Sequence, residues 1–228
     1  MKVNKGNIDL LLSQLHEFDG VLEYTPFDWK VPMTYLSACI RFFQGKGIYS
    51  HVKEVLMVTQ WLLDYAKAHN IDTHNAKIGD LCIIEALEEG VCLDFDIKNN
   101  LINMQLCFKR NDLIKTLITD EETEEYRQRA YFTIGKKYDV EGCLLAQLIY
   151  QVSEKLDKPI SEIIGSEVDL DTWIGTTGES ATKKFYCSKV HSYIHLPSYP
   201  NFYEIAPSDI YTNQQEETIV EGFVKTIN

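Results

Sequence analysis

This sequence predicts an α+β fold, an antiparallel sheet or small barrel packed against helices. Three observations predict it. Short apolar runs of strand length gather in the first half, helical periodicity dominates after residue 120, and no repeat, low-complexity tract or Pro/Ser-rich linker divides the chain. At 228 residues, one well-filled core spanning 1–228 is expected.

Residues 7–18 set Ile8, Leu11, Leu12 and Leu15 on one face at helical spacing and predict a short amphipathic helix. The GVLEY segment (20–24) alternates as a strand does, and Pro26 and Pro32 then argue for a loop. Residues 34–44 predict a helix ended by Gly45 and Gly47, so glycines break the chain just before His51. Residues 52–58, VKEVLMV, predict a buried strand. The segment 59–78 after it has helical character and is expected to be a helical insertion near the site. Three apolar runs (80–87, 91–97 and 101–110), separated by short polar turns, predict an antiparallel meander. From residue 120, acidic residues followed by basic ones suit a helix ended by Gly135. Residues 143–156 predict another helix and 172–182 a loop. Residues 185–196 predict a last helix with Cys187 in its first turn.

The totals exclude several function classes. Hydrophobic residues at 45% and charged residues at 25% exclude wholesale disorder. The 34 acidic and 22 basic side chains give a formal charge of −12, which opposes binding to nucleic acid or an anionic membrane. The same charge favours approach by cationic substrates such as amines or lysine-containing peptides. The first residues lack the apolar core of a secretory signal, and no stretch reaches the roughly 18 apolar residues of a membrane span. A cytoplasmic location is the expectation. The six cysteines stand singly with no CxxC pair, so neither a zinc site nor a disulfide framework is expected, and no phosphate-cradling glycine loop calls for a nucleotide. No cofactor or metal is expected.

A nucleophilic cysteine must be a thiolate, which a helix N-terminus and a nearby imidazole both favour. Cys187 follows a polar loop and begins an apolar-periodic segment, so it meets the first condition; the alternative is a buried structural thiol. His51 stands between a glycine-rich turn and a strand, at the mouth of a sheet, where a base belongs. His191, four residues after Cys187, is a competing partner ranked lower, because neighbours at that spacing pack side by side. Glu85 interrupts an apolar strand and needs a partner if buried, and a histidine is a natural one. Asp80 is the second carboxylate candidate.

Together these segments resemble the YaeF/YiiX-like permuted papain-like amidases, a circularly permuted branch of the NlpC superfamily of cysteine peptidases. Ile48-Tyr49-Ser50-His51-Val52 is similar to the family's histidine motif, and Cys39-Ile40-Arg41-Phe42-Phe43-Gln44 to the end of the helix before it. Ile83-Ile84-Glu85-Ala86 is similar to the strand carrying the orienting acid, Ile134-Gly135-Lys136-Lys137-Tyr138-Asp139 to a further motif, and Phe185-Tyr186-Cys187-Ser188 to the nucleophile motif. Histidine before cysteine is the permuted order. Lys53 stands where a Gly is usual after His-Val, and Lys189 where a Glu is usual after Cys-Ser, so the charge beside the site differs from the family pattern. Phe18-Asp19-Gly20 replaces the usual Gly-Asp opening.

The resemblance implies a cysteine amidase or peptidase: Cys187 as nucleophile, His51 as acid and base, Glu85 fixing the imidazole tautomer. Ser188, Tyr138 and Tyr49 are then candidates for substrate binding or oxyanion stabilisation. The expected partner is a small-molecule, peptide or amine-containing substrate. Two alternatives stand beside this reading. One is acyl transfer, as in the related lecithin retinol acyltransferases, and the other is a catalytically silent module that binds a peptide or amine.

Overall fold

The computed structural model describes residues 8–24, 38, 49–102, 109–116, 118–157, 182–196, 205–212 and 217–225. The expected helix at 34–44 and loop at 172–182 lie almost wholly outside these residues, as do Cys39 and Cys107. The fold is mixed α+β. Its main sheet has six strands, all pairs antiparallel: β1 (Gly20–Tyr24), β2 (His51–Met57), β3 (Leu81–Leu87), β4 (Gly90–Asp94), β5 (Lys109–Thr116) and β8 (Glu217–Lys225), in the order β4-β3-β2-β1-β5-β8. The histidine strand therefore lies in the middle, paired on both sides.

Each face of the sheet has its own apolar layer, because successive side chains on a strand point to opposite sides. On one face Val21, Val55, Ile83 and Leu113 meet Leu11 of α1 (Ile8–Gln14), Leu15 just beyond it, and Leu101 of α3 (Ile97–Ile102). On the other, Leu22, Val52, Leu56, Ile84 and Ile114 join a larger cluster. Helices supply it with Leu62 and Ala66 from α2 (Gln60–Ala68), Tyr126 and Ala130 from α4 (Asp120–Thr133), and Val190 and Ile194 from α6 (Cys187–Ile194). Burial on both faces explains why β2 and β3 read as near-continuous apolar runs.

A second, two-stranded parallel sheet pairs β6 (Lys137–Tyr138) with β7 (Lys184–Phe185). It brings the residues after α4 beside those that open α6. Asp139 then caps α5 (Val140–Leu156) by accepting from the Gly142 N–H at 3.0 Å. A final short helix, α7 (Pro207–Thr212), precedes β8.

Of the third run of the expected meander, 101–110, residues 103–108 lie outside the described residues. Its first two residues end α3, because Asp96 turns the chain by accepting from the Asn99 N–H at 3.1 Å and burial draws Leu101 into the apolar layer under the sheet. Its last two residues open the strand Lys109–Thr116, which pairs with β1 and not with β4, a correction to the meander order. The insertion expected at 59–78 is a single helix, Gln60–Ala68, capped by the Thr59 side chain. No described helix is long and apolar enough to cross a membrane.

Candidate active site

Cys187 is the first residue of α6, and Tyr186 at the N-cap makes no side-chain capping bond. The positive end of the helix is thus left to the sulfur. The Val52 and Ser188 backbone N–H groups donate to Sγ, and His51 hydrogen-bonds it from the first residue of β2. Cys187 is 4% exposed. Burial alone would raise its pKa, but the charge and hydrogen bond of His51, with the two N–H donors, lower it below the ordinary thiol value. The other described cysteines go the opposite way: burial pushes Cys82 up to about 12, and raises Cys92 and Cys143 as well.

His51 Nε2 lies 3.2 Å from Glu85 Oε2, so Nδ1 is left for the sulfur. Burial would lower the imidazole pKa; the Cys187 charge, hydrogen bonds to Cys187 and Glu85, and the charge of Glu23 outweigh it and raise the value to about 9. Register explains the arrangement. Glu23 pairs with His51 across β1 and β2, and Glu85 lies diagonally from His51 on β3. Burial also disfavours ionised Glu85, but the His51 hydrogen bond, Lys53, and Asn100 hold the carboxyl well below its usual range.

Lys53 is the side chain the sequence reading undervalued. It is 5% exposed and sits 3.2 Å from Glu85 Oε2, 3.4 Å from Glu23 Oε1 and 2.7 Å from Asn100 Oδ1. Asn100 in turn donates to Glu85 Oε1 at 2.6 Å and to Asp94 Oδ2 at 2.8 Å. The signal was present in VKEVLMV, where two adjacent charges interrupt a buried strand and so require partners on both faces. Lys189, the other departure, is also buried; its ammonium donates to Asp139 at 2.9 Å and ties α6 to the start of α5.

The remaining candidates divide. Tyr138 is half-buried, and its hydroxyl donates to Cys143 Sγ at 3.5 Å. Burial, then the charges of Cys143 and Cys187, raise its pKa, so it stays a neutral hydroxyl near Cys187. Ser188 contributes its backbone N–H, while its hydroxyl donates to the Ile205 carbonyl at 2.6 Å. Tyr49 lies two residues before His51. It is fully buried in the core, its hydroxyl donates to Asp112 and its backbone N–H donates to Ser208 Oγ at 3.2 Å. His191 turns away from Cys187 and meets Glu54. Asp80 is exposed and accepts from the Lys77 N–H, so Glu85 is the carboxylate beside His51.

Comparison of the chain with protein-family models, with curated proteins and with solved structures finds no match in any of the three.

Proposed function

We propose that the chain is a cysteine-dependent hydrolase of amide bonds, built on a permuted papain-like fold, with Cys187, His51 and Glu85 as a triad. The observation that carries this reading is the hydrogen-bonded line from Cys187 to His51 to Glu85, in which one thiol is lowered while its described fellows are raised. The element order supports it too: histidine strand, acid strand, then nucleophile helix.

In this mechanism the Cys187 thiolate attacks the carbonyl carbon and the oxygen takes up negative charge, which N–H groups at the uncapped start of α6 stabilise. The C–N bond breaks as the His51 imidazolium gives its proton to the leaving amine. His51 then takes a proton from water, the hydroxide attacks the thioester, and the C–S bond breaks to release a carboxylic acid. Glu85 accepts from Nε2–H throughout and so keeps Nδ1 directed at the sulfur.

Iodoacetamide labelling at neutral pH, resolved by peptide mass spectrometry, tests the nucleophile. Cys187 should react far faster than the other five cysteines, and His51→Ala should erase that preference. Slow, even labelling of all six would sink the proposal. Release of a free carboxylate from an amide, with no acceptor added, separates hydrolysis from acyl transfer.

A further inference from the structure

Two charged groups interrupt the buried strand β2. Lys53 is absorbed by the site described above. Glu54, on the opposite face, is not. It points at α6, where His191 and His195 lie one helical turn apart and present their rings on the same side, with centroids 4.3 Å apart. One carboxylate oxygen lies 2.7 Å from His191 Nδ1 and the other 2.8 Å from His195 Nε2. All three residues are about 1% exposed.

We propose that Glu54, His191 and His195 form a binding site for a divalent transition-metal ion of the zinc class, separate from the Cys187 centre. Their donor atoms lie within 4.8 Å of one another. Zinc bonds of about 2.0–2.2 Å set tetrahedral ligand atoms roughly 3.4 Å apart, so the His191 Nδ1–Glu54 Oε2 pair, at 2.7 Å, has to open by about 0.7 Å to admit the ion. Two imidazoles and one carboxylate suit zinc, cobalt or nickel; magnesium and calcium want oxygen throughout. The donors stand on packed elements, and His-x3-His on a helix facing a carboxylate on a strand fixes their spacing before any ion arrives.

The surroundings are fitted closely to the rings. Gly20 faces Glu54 across the β1–β2 pair, and a Cβ at that position would come within 3.0 Å of His191 Cε1 and 3.2 Å of His191 Nδ1. Glycine lets the His191 ring lie directly against the β1 backbone. The Tyr126 ring sets its edge against His195 at 5.1 Å and holds that imidazole in place. The competing arrangement is a metal-free trio in which each ring donates an N–H to Glu54. Ion binding replaces those two hydrogens at the nitrogens facing Glu54 and leaves each ring's hydrogen, if any, on its other nitrogen. An ion here would fasten α6 to β2 one turn beyond Cys187 and three residues beyond His51. It would hold the elements that carry the pair without entering the reaction, and the site stands whether or not the chain is an amidase.

The test uses the full chain, stripped with a chelator and dialysed, then titrated with Zn2+ by calorimetry and, separately, with Co2+ by absorption spectroscopy. About one equivalent of zinc should bind, with a rise in Tm. Co2+ should give visible bands of a nitrogen–oxygen site without thiolate-to-cobalt charge transfer. His195→Gln should weaken zinc binding by at least about 100-fold, while Cys187→Ser leaves it unchanged. Failure of the folded chain to take up zinc would overturn the proposal, as would uptake unaltered in His195→Gln or cobalt charge-transfer bands that vanish in Cys187→Ser. Should His195→Gln not fold, the cobalt spectrum of the unaltered chain decides.

Discussion

His51 is where the chemistry of the site can be read most directly, because its pKa is raised from 6.5 to about 9. The proton therefore stays on the imidazole up to about pH 9, and that positive charge favours the thiolate form of Cys187 beside it. Above that pH the imidazole is neutral and has no proton for a leaving amine, so hydrolysis should fall with an apparent pKa of about 9. The same shift affects folding: a base raised in the folded state adds stability that is complete below about 6.5 and lost as pH rises through about 9. NMR titration of the His51 ring should give a value near 9, and Cys187→Ser should lower it by removing the thiolate; an unmoved value would mean that the two groups are not coupled. Lys53 gives a second prediction at this scale. Its removal in Lys53→Met leaves Glu23 and Glu85 with an uncompensated buried charge, at a cost of about 3–5 kcal/mol, measurable by urea unfolding at pH 7. An unchanged midpoint would show that those carboxylates do not need the ammonium. Much of this site was legible beforehand. Cys187, His51 and Glu85 each sit at a helix start or in an apolar strand, places where a polar group needs a reason. The partners of Lys53, Asn100 and Glu54 were not, since they depend on strand register, which periodicity does not reveal.

Among the elements, α4 shows how local chemistry sets a boundary. Thr119 accepts from the Glu122 N–H while the Glu122 carboxylate accepts from the Thr119 N–H, a complete capping box on a helix whose first turn is acidic. Thr119→Ala should cost about 1 kcal/mol, seen as a shifted denaturation midpoint without loss of the Cys187 labelling preference. The β3–β4 turn is less forgiving. Gly90 has φ +130°, and a Cβ there would meet the Lys136 carbonyl oxygen at 2.6 Å. Gly90→Ala thus combines backbone strain of about 1–3 kcal/mol with a clash against main chain, and its loss of stability should exceed that of Thr119→Ala; equal losses would contradict the close approach. Strong local signals made such elements readable: GVLEY, the run opening at residue 80, the acidic start of α4 and the Cys187 helix all fall close to where the sequence placed them. β5 was misplaced because KRNDLIKT has only Leu113 and Ile114 as an apolar centre, and its strand state comes from pairing with residues about 90 positions earlier. β8 likewise pairs with a partner distant in the chain.

At the scale of the whole molecule, the two sides of the six-stranded sheet end differently. Beyond β4, the turn after α4 closes the edge: the Val91 N–H donates to the Lys136 carbonyl at 2.8 Å, and the Gly135 N–H donates to the Val91 carbonyl at 2.9 Å. At the opposite side β8 covers β5, pairing with it from Lys109 to Thr116 with one register shift between Asn111 and Leu113. Among the described residues, β8 is the strand that covers this side of β5, whose other side is taken by β1. Truncation after Thr212 would leave an eight-residue strand with a row of unpaired N–H and C=O groups beside the buried Leu113 and Ile114, a template for pairing with another chain. The truncated protein should run as larger species on size exclusion and unfold at lower urea than the full chain. Adding the missing segment as a synthetic peptide should return the smaller species, since β8 pairs as a separate strand and not as half of a tight hairpin. A truncated chain that keeps the elution volume and stability of the full one would show that β5 needs no cover, and that the sheet is completed by other means.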